Sequence, residues 1–204
     1  MKKLVLDCFR CFREGAPVFP PVTLTINARQ AFLCEGANGS GKTTLLRALM
    51  GLCSYEGKVL RDQETVASLQ GYASHLSVQG GLREDLTVRE HIRFWMLYWP
   101  ASKEVLEDHL ARLHLTRFEN RPVRTLSSGE RQRLKFLPLL LQMNPLWLLD
   151  EPFTHLDEEG CLVFESLMER HLLEGGMALL TKPSETRFGL IFVPWHRDLL
   201  RMAS

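Results

Sequence analysis

The stretch that decides the fold is "CEGANGSGKTTLLRALMG", Cys34 to Gly51. Gly36-Ala37-Asn38-Gly39-Ser40-Gly41-Lys42-Thr43 satisfies G-x-x-x-x-G-K-[ST], a loop that binds phosphate groups. Upstream, "QAFLCE" (Gln30–Glu35) reads as a short buried strand. Downstream, Leu45, Leu46, Leu49 and Met50 fall on one helical face. The loop is therefore predicted to join a strand to a helix N-terminus. Glycine removes the Cβ atoms that would keep a backbone away from phosphate oxygens. The amides from Gly36 through Thr44 then point at an anion, which the helix dipole also favours. Lys42 is expected to reach β- and γ-phosphates, and the Thr43 hydroxyl to bind Mg²⁺.

Such a site needs an acid to hold the magnesium. "PLWLLDEP" (Pro145–Pro152) carries four consecutive apolar residues and then Asp150 and Glu151. A continuous apolar run is the pattern of a parallel strand covered on both faces. Ligands of open α/β sheets gather at the carboxyl ends of strands, so both acids are expected beside the glycine loop. Asp150 is the predicted Mg²⁺ ligand and Glu151 the group that polarises an attacking water. A third element, "RTLSSGERQRLKF" (Arg124–Phe136), places Ser127-Ser128-Gly129 at the start of a helix, again an arrangement that suits an anion. Gly129 lies 21 residues before Asp150.

Taken together, "LSSGE", "RQR" and "LLDEP" resemble the signature motif and acidic strand of ABC-type ATPases. The signature of that family runs Leu-Ser-Gly-Gly-Gln; here Ser128 stands for a glycine and Glu130 for the glutamine. The resemblance covers about residues 4 to 185. It implies a P-loop NTPase of α/β class, with a RecA-like core, an N-terminal antiparallel β region and an inserted helical subdomain. Residues 1–204 would form one ABC ATPase domain, with the core at about 1–80 and 145–204 and the helical subdomain at about 81–144. It further implies that Ser127 and Gly129 touch the γ-phosphate. Gln79, seven residues before "LTV", would sense Mg²⁺ and the attacking water. Asp157 would be the acid of the loop "PFTHLDEEG". Phe12 is the first candidate to stack on adenine, with Phe9 and Phe19 close by. ATP and Mg²⁺ are the implied ligands. ATPases of this design work in pairs, one subunit's glycine loop facing the other's signature turn. A homodimer or a paired ATPase subunit is thus expected.

Within that family, the compact chain, "LWLLDEPFTHLD" and "EGG" followed by "LLT" are similar to haem-exporter ATP-binding subunits of cytochrome c maturation. The resemblance implies a peripheral subunit on the cytoplasmic face of the inner membrane, or the matrix side of an organelle. Its partners would be integral membrane transporter subunits, with haem met only through the complex. One departure is clear. The family ends its next strand with a histidine for the γ-phosphate. In "GMALLTKPSE" that position falls on Pro183, after Lys182. The chain then reads either as a haem-export ATPase, as the ATPase of another small exporter, or as a weakly active ATP-binding module.

The composition agrees with a compact domain. A 204-residue chain buries about 70% of its unfolded surface. With 25 basic and 24 acidic residues, there is no field for nucleic acid or another polyanion. The richest apolar stretch, "FLPLLLQMNPLWLL", is interrupted by Pro138, Gln142, Asn144 and Pro145, so no transmembrane span is expected. The N-terminal "MKKLVLDCFRC" lacks the features of a signal peptide. Five cysteines without an export signal read as reduced thiols, and Cys8-x-x-Cys11 as two residues of a strand. Finally, "REHIRFWMLYWPA" crowds Phe94, Trp95, Leu97, Tyr98 and Trp99 together. More aromatic surface than one helix face can bury points to a docking surface for partners.

Overall fold

Two sheets account for the strands. The computed structural model describes residues 2–77, 81–184 and 191–195. The first sheet is antiparallel: β1 (Lys3–Arg13) pairs with β2 (Ala16–Pro17), β3 (Val22–Asn27) and β5 (Tyr55–Arg61), and β5 pairs with β6 (Glu64–Thr65). The second contains β4 (Ala31–Gly36), β7 (Ala73–Leu76), β8 (Leu146–Leu149), β9 (Met177–Pro183) and β10 (Ile191–Pro194). Its order is β10-β4-β9-β8-β7, parallel except for β10.

The apolar run of β8 has the cause its pattern suggested. Leu146, Leu148 and Leu149 are fully buried and Trp147 nearly so. Alternation sends successive side chains to opposite faces, and each face has its own core. Leu146 and Leu148, with Met177 and Leu179 of β9, join Leu4, Leu6, Phe9 and Ile26 of the antiparallel sheet. Helix α1 (Lys42–Leu49) adds Leu45, Leu46 and Leu49 to that side. Trp147, Leu149, Ala178 and Leu180 face a second core built largely from helices. A leucine fully buried in this way contributes about 1.5–3 kcal/mol. Both faces are thus anchored, and the carboxyl ends of β4 and β8 have fixed positions.

Between β7 and β8 the chain runs through α2 (Val88–Met96), α3 (Lys103–Arg112), two 3-10 turns, α4 (Ser128–Lys135) and α5 (Leu137–Gln142). Helix α6 (Glu158–Leu173) follows β8. The aromatic cluster of α2 divides. Trp95 is buried and Trp99 packs at the edge of the helical core, whereas Phe94, Leu97 and Tyr98 are exposed.

Cys8 sits at an irregularity in β1, where the register shifts between Leu6 and Phe9, and Cys11 lies beyond it, paired with Tyr55. Cys8 is exposed, with φ of 47°. Opposite it, Gly57 has φ of 93°, and a Cβ there would come within 2.5 Å of the Cys8 carbonyl oxygen. Cys11 is buried, its thiol 3.8 Å from the Thr44 carbonyl oxygen. Burial, and then the nearby Cys53 thiol, push Cys11 up to about 12. The two sulfurs therefore occupy different environments.

Candidate nucleotide-binding site

The glycine loop leaves β4 at Gly36 and enters α1 at Lys42. Gly41 caps the helix with φ of 100°. A Cβ there would lie 2.5 Å from Val18 Cγ1 and 2.8 Å from Phe19 Cδ1, so only glycine fits both the turn and the space. Gly39, at φ of 82°, faces open space.

The first turn of a helix leaves four amides without helical partners. At α2, α3, α4 and α6 a side-chain oxygen takes one of them, from Thr87, Ser102, Ser127 and Asp157 respectively. Helix α1 has no side-chain cap and no acid in its first turn. The Ser40 hydroxyl in the same loop is buried without a hydrogen-bond partner. An uncapped helix start beside an orphaned hydroxyl fits an external anion such as a nucleotide phosphate. Lys42, 5% exposed, donates to the carbonyls of Gly36 (2.8 Å) and Ala37 (3.1 Å). An ammonium has three N–H donors, so one remains for a ligand.

Asp150 is 2% exposed, just past the end of β8. The Thr43 hydroxyl donates to its Oδ2 (2.8 Å) and the Thr181 hydroxyl to its Oδ1 (2.7 Å). Among the described residues no cation pairs with Asp150. A nearly buried carboxylate with only neutral donors is costly, and Asp150 with Thr43 is an all-oxygen set suited to a hard cation such as Mg²⁺. No group of three or more His, Cys, Asp or Glu among the described residues forms a metal cage. Beside Asp150, Glu151 is partly buried with φ of 46°. Its amide donates to Thr181 Oγ1 (2.9 Å). Cys34, on the strand leading into the loop, is pushed up to about 12 chiefly by burial, with Lys42 pulling the other way.

Ser127, Gly129 and Asp157 form a separate cluster. Ser127 caps α4, its hydroxyl accepting from the Glu130 amide (3.1 Å) while Glu130 Oε2 accepts from the Ser127 amide (2.7 Å). A Cβ on Gly129 would fall 2.8 Å from Asp157 Oδ2. Asp157 Oδ1 in turn accepts from the Gly160 amide (2.8 Å). Among the described residues no hydrogen bond or ion pair joins Ser127, Gly129 or Asp157 to the loop 36–44. Gln132 of α4, 6% exposed, connects the cluster to the acidic turn by donating to the Pro152 carbonyl (3.1 Å).

Of the three aromatic candidates, Phe9 is buried and stacked on Tyr55, and Phe19 is buried against Gly41. Phe12 alone of the three keeps an uncovered side, with the Arg10 guanidinium 5.5 Å from its ring centre. Gln79 lies outside the described residues. Pro183 pairs with Gly36 across β9 and β4, so it stands next to the first loop glycine. Thr181 and Gln132 went unnoticed in the sequence. Each lies in a segment whose apolar or charged neighbours dominate its pattern, and only strand register or helix packing exposes its contacts.

A glycine loop between a buried strand and an uncapped helix, facing an acid at the end of a parallel strand, defines a nucleotide-binding P-loop protein. The signature turn on its own helix narrows the class. The chain belongs to the ABC transporter family, whose sequence description matches residues 19–154, and is an ATP-binding domain of that family. It is 40% identical over 176 residues to the "Cytochrome c biogenesis ATP-binding export protein CcmA" of Xanthomonas campestris pv. campestris (strain 8004), covering 83% of this chain and 81% of that one. The protein of the same name from Methylococcus capsulatus is 40% identical over 185 residues, covering 87% and 89%. That from Rhodobacter capsulatus is 36% identical over 181 residues, covering 88% and 80%. Among solved structures, a putative ABC transporter ATP-binding protein from Pyrococcus furiosus shares the fold with a TM-score of 0.77 at 21% identity, over 90% of this chain and 92% of that one. A nucleotide-free ATP-binding cassette from an ABC transporter gives 0.74 at 19% identity, over 89% and 81%. Among the described residues no helix is long and apolar enough to cross a membrane.

Proposed function

We propose that the chain is the ATP-hydrolysing subunit of a membrane exporter that drives haem export or release for c-type cytochrome maturation. The observation that carries the ATPase reading is the uncapped start of α1 facing the buried Asp150 carboxylate. The cargo reading is supported by the name its relatives bear. In this reading the amides of residues 36–44 bind the phosphates, and the free N–H of Lys42 bonds to β- and γ-oxygens. Thr43 and Asp150 would hold Mg²⁺, which would supply charge neutralisation at the phosphate oxygens, and Gln79 would sense Mg²⁺ and the attacking water. Glu151 accepts a hydrogen bond from the attacking water and orients it in line with the γ-phosphorus. Phe12 stacks on adenine. Ser127 and Gly129, with Asp157 beside them, close over the γ-phosphate bound by a second subunit, because one chain carries a single copy of each half-site. Residues 81–144 act as the helical subdomain. The pair binds integral membrane subunits at the cytoplasmic face of the inner membrane, or at an organelle's matrix side, and meets haem only through them.

Two narrower readings share this chemistry. The chain serves another small exporter, or it is a weakly active module. The second is favoured by one observation, Pro183 beside Gly36 where the family supplies a histidine.

The hydrolytic reading is tested with Lys42→Ala and Glu151→Gln. The first is expected to abolish measurable nucleotide binding in an equilibrium titration. The second should keep binding and lose about 10²–10⁴ in turnover, the usual worth of a general base. With ATP, Glu151→Gln should elute from gel filtration as a dimer, since the closed pair forms but is not hydrolysed apart. Normal turnover in Glu151→Gln would remove Glu151 from the mechanism, and unchanged affinity in Lys42→Ala would remove the phosphate loop.

A further inference from the structure

One hydroxyl holds both acids of the site. Leu149 of β8 is paired with Leu180 of β9 in parallel register, so Asp150 and Thr181 are the next residues along each strand. The Thr181 side chain is fully buried. Its hydroxyl donates to Asp150 Oδ1 at 2.7 Å and accepts from the Glu151 amide at 2.9 Å. A hydroxyl has one proton and two lone pairs, so the proton is committed to Asp150 while a lone pair serves Glu151.

We infer that Thr181 is a positioning residue for hydrolysis, setting the orientation of the Asp150 carboxylate and the turn that presents Glu151. The inference rests on the roles proposed above for Asp150 and Glu151. Its first half follows from the carboxylate's two oxygens. With Oδ1 tied to Thr181, Oδ2 is the oxygen left facing Thr43, the other member of the candidate cation pair. Free rotation of Asp150 would exchange them. Its second half follows from the backbone. Glu151 has φ of 46°, a left-handed conformation that residues with a side chain rarely hold unless surrounding bonds fix it. The bond from its amide to Thr181 is such a restraint, and the Thr154 amide on the Glu151 carbonyl (3.1 Å) closes the turn from the other side. Loss of the hydroxyl would therefore loosen a cation ligand and a water-orienting group together. Phe12, the residue proposed to stack on adenine, takes no part in either bond.

Three substitutions separate this role from packing. Thr181→Val keeps the shape and removes the hydroxyl. Thr181→Ser keeps the hydroxyl and removes a methyl group. Thr181→Ala removes both, and replaces Val in the comparison if Val does not fold. The measurements are kcat and KM for ATP, the affinity of the ADP-bound protein for Mn²⁺ followed by electron paramagnetic resonance, and the thermal midpoint without nucleotide. Thr181→Val is expected to lose about 10- to 100-fold in kcat with little change in KM, and to bind Mn²⁺ more weakly. Thr181→Ser should stay close to the unsubstituted protein in both. The inference is overturned if Thr181→Val hydrolyses ATP and binds Mn²⁺ normally. It is also overturned if Ser falls as far as Val while both lower the thermal midpoint, for then the methyl group matters and the hydroxyl does not. Asp150→Asn serves as the control. Normal Mn²⁺ affinity in that variant would refute the proposed site itself, whereas a weakened Asp150→Asn beside a normal Thr181→Val refutes the role of Thr181 alone.

Discussion

Pro183, beside Gly36 in the strand register, is the residue on which the proposal of a slow ATPase rests. It follows Thr181 by two positions in β9, and alternation puts both on one face while Lys182 takes the other. Thr181 reaches Asp150, so that face is the one turned to the acidic residues. A proline there has no donor and its ring fixes φ, so it can neither bond to a γ-phosphate nor switch a bond on closure. A hydrogen bond to a charged group is worth about 1.5–3 kcal/mol, roughly 10- to 150-fold in rate if made only in the transition state. Pro183→His is expected to raise steady-state ATP hydrolysis of the assembled complex within that range, and Lys182→Ala to leave it unchanged. A rate that falls in Lys182→Ala, with no gain in Pro183→His, would assign the phosphate contact to the lysine. The difference between what was legible here and what was not has a physical basis. Lys42 and Thr43 are legible from the fixed spacing of the glycine loop, and Asp150 and Glu151 from their place at the end of a continuous apolar run. Thr181 and Gln132 act across strands and helices, where no spacing rule reaches. Phe12 was separated from Phe9 and Phe19 only by their packing.

At the level of elements, β4, β8 and the helices of the signature segment were readable because each satisfies a local rule. These are a continuous apolar run, a glycine loop before an apolar helical face, and a serine-glycine turn opening a helix. The structure adds a capping box on α4 that the sequence reading did not use. Ser127 and Glu130 satisfy each other's amides, which pins the start of the helix whose serine is proposed to meet a phosphate. The Ser127 oxygen is used there as an acceptor, leaving its proton available for donation. Ser127→Ala and Glu130→Ala each break the box, and loss of such a cap costs about 0.5–2 kcal/mol. Both are expected to lower the thermal midpoint by a few degrees, about 2–4 °C per kcal/mol for a domain of this size. Only Ser127→Ala should also slow turnover strongly and weaken ATP-dependent pairing, because it alone removes the hydroxyl. Equal losses of turnover in the two variants would mean that the helix start matters and the hydroxyl does not. The bulge in β1 was not legible. It is a compromise between two pairing partners of one strand, visible only once β3 and β5 are both in register.

For the molecule as a whole, the exposed aromatic end of α2 is the feature that its own folding does not explain. Trp95 is 7% exposed and belongs to the helical core, but Phe94, Leu97 and Tyr98 are 53%, 78% and 64% exposed. Phe94 and Tyr98 touch edge to face, their ring centres 5.4 Å apart, and Tyr98 lies 6.1 Å from the Trp99 ring. Contiguous apolar surface of this kind marks interaction sites more often than isolated exposed side chains do. It lies on the segment between β7 and β8, which is joined to the acidic turn through Gln132 and Pro152. The transporter's membrane subunits are expected to dock on this surface. Leu97→Glu and Tyr98→Glu test this at the scale of the assembly. Both side chains are largely in solvent, and surface changes of that kind usually alter stability by less than about 0.5 kcal/mol. The variants are expected to keep their thermal midpoint and their nucleotide affinity as isolated proteins. Co-purification of integral membrane proteins from detergent extracts should fall sharply, and the variant chains should appear in the soluble fraction. Undiminished recovery with the membrane subunits would show that the transporter docks elsewhere. A drop in thermal midpoint equal to the loss of recovery would return Leu97 and Tyr98 to the helical core.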